Sequence, residues 1–554
     1  MGLARATYSE GLKLLLAISG FVLMIVCANM ANLMLVRGIA RRRQTSISLA
    51  LGAARGRILR QALTESVMLG LIGGAAGIGI AFAGTRALLS GVFVGATSLP
   101  IDATPDLSVL AFAVVVSIVT GLVFGVGPAW SATRADPIDA LRGAGRSTQH
   151  SSFAQRGLVV TQAALSLVLL TAAGQLILSL RNEANQKFGF VSEGRIAVRI
   201  DPNLAGYKVD QLDALYRRIQ DTLARLPGVL NVSYALFSPM SGSNWTTDVS
   251  FEGRPPGLDG ENSTSWARVG PGYFDTIGTA ILRGRPILES DIDSTRHVAV
   301  VNEAFAQRFF PGEDPMGKHF GARQKFEKSF EIVGIAANAK YREPDQPPFP
   351  MFFLSRPQVT HYDNAGTMAF ESRSLYVNDI VLHVAGADLS MDEPIRRAFA
   401  GIDPNLPIFW IQSFEKAKIK QLGQPALIAR LTSLFGLTAL LLASIGLYGV
   451  TTYAVAQRSK EIGIRVVLGA DRRSVVQMVL RNAYVLVAVG LGFGIPLAIV
   501  MGRLIRSRLF GVGWYNPTIL CGAAAVLGVC ALLATIVPAR RAASLEPLET
   551  LRGD

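Results

Sequence analysis

Seven apolar runs decide what this chain can fold into. They lie at about 13–36, 64–88, 107–130, 157–180, 427–455, 482–502 and 517–538. Crossing a hydrocarbon core of ~30 Å takes roughly 20 apolar residues in helical form, and each run supplies about that many. Backbone amides find no water in lipid, so runs of this kind span as helices, which satisfy those groups internally. Composition agrees. Only 17% of the 554 residues are charged, against about 25% in soluble proteins, and mean hydropathy is +0.36. The 55 glycines suit spans that approach closely. The first run lacks an Ala-x-Ala-like cleavage site, and its stronger basic flank follows it, so it reads as a span rather than a leader. Arg86, near the end of the second run, can reach the interface.

Orientation follows from the loops. Arg37, Arg41, Arg42, Arg43, Arg55, Arg57 and Arg60 separate the first two runs without an acid among them. Arg134, Arg142, Arg146 and Arg156 follow the third run, and Arg458, Lys460, Arg465, Arg472, Arg473 and Arg481 follow the fifth. Arg540, Arg541 and Arg552 close the tail. All fall on one side of the membrane, which the positive-inside rule makes the cytoplasm. The C-terminus is then cytoplasmic and residues 181–425 lie outside. One loop opposes this assignment, with Arg503, Arg506 and Arg508 on the outer side. The net charge of +14 sits in these short loops, since 181–425 is nearly balanced. That argues against a nucleic-acid partner and leaves membrane lipid as the surrounding one. Cys27, Cys521 and Cys530 all lie in apolar runs, so no disulfide framework or CxxC metal pair is available.

The stretch 181–425 is too long for a loop. Strand-like runs occur at 196–200, 230–235, 248–253, 265–270, 297–302, 330–338 and 379–386. Leu212, Leu215, Ile219, Leu223 and Leu226 recur at helical spacing, and 303–310 and 392–401 look similar. The expectation is an α+β domain, with the Pro-rich segment 340–378 forming surface loops. The predicted fold is a polytopic α-helical membrane protein of about seven spans with one such domain. Its expected divisions are 1–155, 156–180, 181–425 and 426–554.

The chain is also duplicated. RSKEIGIRVVLGA (458–470) has a counterpart in RRRQTSISLALGA (41–53). Each reads as a short cytoplasmic helix that docks on a partner and ends at Gly469 or Gly52, a position glycine fills readily. GPAWSATRADPIDALRG (127–143) matches VPARRAASLEPLETLRG (537–553), and a repeat of two such anchors is a strong signal. Gly70, Gly73, Gly74 and Gly77 correspond to Gly490, Gly492 and Gly494 and read as packing positions. The second repeat has a span and an outer domain before its last three spans, whereas the first has three spans alone. A complete first half would begin with its own span and outer domain, and residues 1–12 read as the end of such a domain.

Catalytic chemistry is not expected. GEDPMGKH (312–319) nearly matches a phosphate-binding loop, but His319 replaces the hydroxyl that would bind magnesium. Pro315 interrupts it and a helix-like stretch precedes it, so a turn is the reading. None of the five histidines lies in an apolar run, and neither HExxH nor GxSxG occurs. Asn29 and Asn32 read as interhelical hydrogen bonders. Acids that would carry protons through the membrane are missing from the interior of the runs. The chain is therefore expected to be no enzyme, to hold no cofactor or metal, and to take energy from a partner.

RSKEIGIRVVLGA, the order of spans and outer domain, and the proline-containing anchor resemble the FtsX-like permeases, the MacB type of ABC transporter, in its duplicated form. VGPGYFDTIGTAILRGRPI (269–287) and VAVVNEAFAQRFFPGEDPMGKHF (298–320) resemble the MacB periplasmic core domain. The resemblance implies a bacterial inner-membrane permease whose separate cytoplasmic ATPase contacts 458–470. The family pattern falls on Lys460, Glu461, Ile462, Gly463, Arg465, Leu468, Gly469 and Ala470, with Arg458 at its basic edge. The first copy, with Arg41, Arg42, Arg43, Leu51 and Gly52, departs from it. Gln44 replaces the acid, and Ser46 and Ser48 stand for Gly463 and Arg465, which removes charge-assisted contacts. The implied function is relay of ATP-driven motion to the outer domain, for efflux, lipoprotein release or mechanotransmission, with a periplasmic adaptor or envelope partner. The alternative is a scaffold that regulates an envelope partner such as a cell-wall hydrolase.

Overall fold

The computed structural model describes residues 2–40, 54–92, 106–133, 146–254, 260–291, 297–322, 327–358, 372–386, 391–457, 461–462, 464–465 and 471–544. It divides into two compact units, Met1–Arg181 with Pro425–Asp554, and Asn182–Gln424.

The apolar runs all lie in long helices: α1 (Gly2–Ala40), α2 (Arg55–Val92), α3 (Leu107–Thr133), α4 (Arg146–Asn185), and, after the second unit, α9 (Phe414–Gln457), α10 (Arg472–Leu504) and α11 (Pro517–Ala543). Among the described residues six of these are long and apolar enough to cross a membrane, and α3 adds a shorter apolar stretch, Leu107–Leu122. At 1.5 Å per residue, the 27 residues of α3 still extend ~40 Å.

α4 is the axis of this unit. Of its most apolar window 72% is buried, against at most 33% for the other spans. α10 lies against it because two glycines let it: a Cβ on Gly490 would meet Ala163 Cβ at 2.6 Å, and one on Gly494 would meet Ala164 Cα at 3.0 Å. The equivalent glycines of α2 pack elsewhere, Gly70 and Gly74 against Ser117 of α3. Gly73, Gly77 and Gly492 meet nothing, so two glycines of each set serve close packing. Asn29 Nδ2 of α1 donates to Leu442 O of α9 at 2.7 Å, and Asn32 Nδ2 donates to Gly446 O at 3.3 Å. Both asparagines are therefore interhelical hydrogen bonders, as their sequence context predicts. Ile18 and Ile25 of α1 close the same seam against Leu165, Leu169 and Ala439.

In the second unit, helices and strands alternate irregularly. The strands are β1 (Arg195–Ile200), β2 (Val229–Ala235), β3 (Thr246–Phe251), β4 (Ser263–Val269), β5 (Ile281–Gly284), β6 (Val298–Asn302), β7 (His319–Ala322), β8 (Phe330–Ala336), β9 (Met351–Ser355), β10 (Asp379–Val384) and β11 (Ile408–Ser413). The helices are α5 (Leu212–Ala224), α6 (Tyr273–Ile277), α7 (Glu303–Phe309) and α8 (Asp392–Ile402). The seven strand-like runs all form strands. β5, β7, β9 and β11 escaped sequence reading.

β11, β1, β10 and β2 form an antiparallel sheet. Leu215, Tyr216, Ile219 and Leu223 of α5 and Ile395 and Phe399 of α8 join Val198, Ile380 and Leu382 in its core. Six of the other strands close into a ring, which β2 joins through Ala235 and Val269 of β4 and which β5 borders through β8. β4 pairs β3, then follow β7, β8, β6 and β9, and β9 pairs β4 again. Closure removes the exposed edges that would invite further strand pairing. The ring is packed with aromatics: Phe251, Trp266, Phe320, Phe330 and Phe352, with Phe305 from α7. Phe320 and Phe352 lie 5.1 Å apart between centroids, and Phe305 lies 5.1 Å from Phe320.

β9 corrects the expectation of surface loops across 340–378. Met351–Ser355 is buried throughout, pairing parallel with β4 and antiparallel with β6. A strand buried on both faces shows a continuous apolar run instead of alternation, and the flanking prolines disguised it. The segment GEDPMGKH does turn, at Gly312 (φ 75°) and Gly317 (φ 73°), and the Lys318 ammonium is held by the Glu313 carboxylate.

Two outcomes are expected. Gly446→Val adds side-chain atoms where even a Cβ would lie 2.4 Å from Gln162 Oε1 and 2.6 Å from Asn29 Oδ1. Overpacking of this kind costs roughly 1–3 kcal/mol. The thermal midpoint of the purified protein should fall, whereas Gly528→Val, where a Cβ meets nothing within 4 Å, should leave it unchanged. Phe305→Ala opens a cavity inside the ring at about 3–5 kcal/mol. Urea unfolding followed by tryptophan fluorescence, with Trp266 in the same cluster, should show an earlier transition for the outer unit.

Candidate functional site

Between α9 and α10 the chain passes through RSKEIGIRVVLGA. Of the residues proposed for docking, the structure describes Glu461, Ile462 and Arg465, all helical. Arg458, Lys460, Gly463, Leu468, Gly469 and Ala470 lie outside the described residues, as do Arg41, Arg42, Arg43, Leu51 and Gly52 of the first copy.

The three described residues divide by face. Ile462 is only 3% exposed and packs with Val475 and Val479 of α10 and Ala539 and Ala542 of α11. Glu461 and Arg465, one turn apart, face outward half-exposed, and Arg465 Nη2 donates to Glu461 Oε1 at 2.6 Å. Arg465 Nη1 also lies 3.4 Å from Met478 Sδ. An exposed i,i+4 pair of this kind adds only about 0.3–0.5 kcal/mol, so stability does not require it. What it does is hold two opposite charges in a fixed, displayed geometry. Asp471 then caps α10, its carboxylate accepting from Arg473 N. Sequence reading named Ile462 but not its receivers. Their signal is the pair of four- and three-residue spacings, Val475/Val479 and Ala539/Ala542, at the near ends of two spans.

Ile462 also walls a cleft of about 190 Å³ between α4, α9 and α10, lined by Gln155, Arg156, Tyr453, Met478 and Asn482 among others. Gln155 is 2% exposed, and its Nε2 has no hydrogen-bond partner among the described residues.

The second unit carries its own polar centre. Asp379 is fully buried and receives Arg199 Nε at 2.7 Å and Nη2 at 3.2 Å. Its Oδ2 also accepts from Ser238 N at 2.7 Å and Ser238 Oγ at 2.6 Å. These bonds anchor the turn after β2, where Met240 adopts φ 61°, a left-handed conformation rare outside glycine. Beside it is a cleft of about 200 Å³, bordered by Ser238, Met240, Trp410, Phe414 and Lys420. The Arg199 guanidinium lies 5.0 Å over the Trp410 ring. No group of three or more potential metal ligands occurs among the described residues.

Comparison with known proteins matches both parts of the chain. The model of the FtsX-like permease C-terminal family matches residues 16–137 and again 433–547. The MacB-like periplasmic core domain matches residues 158–385. A macrolide export ATP-binding/permease protein MacB from Mannheimia succiniciproducens is 23% identical over 296 residues, covering 52% of this chain and 43% of that protein. An uncharacterized ABC transporter permease, YknZ of Bacillus subtilis, is 42% identical over 126 residues, 23% of this chain and 30% of that one. A pyoverdine export ATP-binding/permease protein PvdT from Pseudomonas aeruginosa is 39% identical over 139 residues, 25% of this chain and 20% of that one. The chain thus spans less than half the length of these relatives. Among solved structures, the periplasmic region of MacB from Actinobacillus actinomycetemcomitans aligns with TM-score 0.28 at 14% identity, over 42% of this chain and 93% of that one. With the permease model matched twice around the core-domain model, this chain belongs to the MacB-type family of FtsX-like ABC permeases.

Proposed function

We propose that this chain is the permease part of an ABC-type export system and that it takes up the motion of a separate cytoplasmic ATPase at residues 458–470. The observation that carries the reading is the division of faces at Glu461, Ile462 and Arg465. One side of the short helix is anchored in α10 and α11, and the other displays a charged pair. A force applied to the displayed side reaches two spans through Ile462. The spans pass it to residues 182–424, which this reading places outside the membrane, with the C-terminus in the cytoplasm. The chain itself then needs no catalytic residue, cofactor or metal. The relatives named for macrolide and pyoverdine export favour efflux over lipoprotein release or regulation of an envelope partner. The first copy has lost the acid and the base of the motif, so the second copy carries the ATPase contact.

The test is co-purification with candidate ABC ATPases, with ATPase rate as the second readout. Glu461→Ala and Arg465→Ala should each weaken binding and abolish stimulation, while changing stability by less than about 1 kcal/mol because the pair is exposed. Ile462→Ala should lose stimulation and also stability, by roughly 2–5 kcal/mol, because its side chain is buried. If an ATPase binds and both charge substitutions leave binding and stimulation intact, the contact lies elsewhere.

A further inference from the structure

The loop joining α10 to α11 contradicts the charge rule that orients every other loop. Residues 503–516 read RLIRSRLFGVGWYN, three arginines with no acid. Positive charge on the outer side works against insertion in that orientation, so a favourable contact in the folded protein is the physical reason to look for.

The loop is built, not slack. Gln175 Nε2 of α4 donates to Trp514 O at 3.1 Å. Ser179 Oγ donates to Arg508 O at 3.4 Å and accepts from Phe510 N at 2.8 Å. Leu509 packs with Leu14, Leu176 and Ile428, and Ile505 is 3% exposed. A Cβ on Gly502 would sit 2.2 Å from Trp514 O, so the loop folds back tightly on the end of α10. These contacts use backbone and apolar groups and leave the guanidinium groups out. Arg503 and Arg506 are exposed and Arg508 partly so. Among the described residues no carboxylate lies within 4 Å of any of them. Arg503 stacks at 4.6 Å over Trp514, with Tyr515 beside it.

What lies next to the arginines identifies their partner. Phe493, Leu497, Val500 and Leu504 recur at helical spacing along α10 and are 67%, 36%, 52% and 70% exposed. That stripe faces hydrocarbon, and it ends at Arg503. Lipid chains lying along it bring their headgroups level with Arg503 and Arg506, which are one turn apart. Trp and Tyr at this level are typical of a membrane interface. Guanidinium groups bind phosphate in bidentate fashion. We infer that Arg503, Arg506 and Arg508 form a site for the phosphate headgroup of an anionic phospholipid whose chains lie along the α10 stripe. The proposal does not depend on the ATPase contact and rests on the proposed orientation only for the leaflet concerned, the outer one.

The experiment uses the full chain, delipidated in detergent and then exposed to vesicles of phosphatidylcholine alone or of phosphatidylcholine with phosphatidylglycerol. Bound lipid is measured by mass spectrometry, and the thermal midpoint is followed alongside. Wild type should retain phosphatidylglycerol and gain thermal stability from it. The variant Arg503→Gln/Arg506→Gln/Arg508→Gln should lose retention on the order of tenfold or more, since each basic group adds measurably to anionic-lipid attraction. If the triple variant does not fold, Arg506→Gln alone serves, because that side chain has no partner among the described residues, and a several-fold loss is expected from it. Undiminished retention in the variants overturns the site. So does an equal thermal shift from inorganic phosphate without lipid, which would mark a soluble-anion site. Capture of a poly-glutamate peptide in preference to phosphatidylglycerol would mark a protein-docking site and overturn it too. Loss of ATPase binding in the Glu461 and Arg465 variants leaves these outcomes untouched, so the two readings fail separately.

Discussion

Polar side chains buried along α4 set the geometry of the membrane unit. Gln155, Gln162, Ser166, Thr171, Gln175 and Ser179 are all buried, in a bundle whose outer face is hydrocarbon. A polar group there stabilises only when a neighbour supplies a partner, at about 0.6–2 kcal/mol per interhelical bond. For Ser166, Gln175 and Ser179 neighbouring backbone supplies it, whereas the side-chain polar atoms of Gln162 and Thr171 and Gln155 Nε2 have no partner among the described residues. Ser166 Oγ donates to Ala439 O of α9 at 3.2 Å, and Gln175 and Ser179 bond the loop after α10. Reaching a carbonyl on another helix requires the helices to be close, and Gly436 of α9, where a Cβ would lie 3.5 Å from Leu169 O, allows that closeness, as Gly490 and Gly494 do for α10. The glycines and the buried polar groups are two sides of one requirement.

This explains what could be read from the sequence and what could not. Spans were legible because hydrophobicity summed over 20 residues needs no tertiary context. Gly490 and Gly494 were legible as packing positions, but not the helix they would meet. The matched pair Gly70 and Gly74 packs on α3, following in sequence, while Gly490 and Gly494 pack on α4, which precedes the outer unit. Equal local patterns therefore found unequal partners. In the outer unit, strands with mixed polarity were visible, whereas β9 was hidden by its burial on both faces and by prolines around it. Arg268 shows the same limit. Inside the strand-like run SWARVG it is wholly buried, its Nε donating to Ser374 Oγ at 2.7 Å and its Nη1 to the carbonyls of Arg356 and Gln358. Those partners come from a segment about 100 residues further on, and no local pattern encodes them.

The residues proposed for docking read locally for another reason. Glu461 and Arg465 are half-exposed and pair with each other one turn apart, so their local spacing already states the geometry of the pair. Ile462 was legible as apolar, but the pocket that receives it is assembled from two spans far apart in sequence. A displayed charge pair can be read from one turn of helix, whereas an anchor needs the folded bundle.

α4 also joins the two ends at which the membrane unit meets other molecules under the proposed reading. At one end Gln155 lines the cleft that Ile462 walls. At the other, Gln175 and Ser179 hold the arginine-bearing loop. Both points lie on one helix, unbroken from Arg146 to Asn185; Gln155 and Ser179 are ~36 Å apart along it at 1.5 Å per residue, and no proline interrupts its hydrogen-bond ladder. α10 runs beside it through glycine–alanine contacts, while its own Pro496 removes one backbone donor. Under the proposed reading, α10 receives the Ile462 contact directly, and its close glycine–alanine contacts pass a displacement to the unbroken α4. On the same reading, the bonds from Gln175 and Ser179 hold the loop after α10 to α4, so a shift of α10 along α4 works against them.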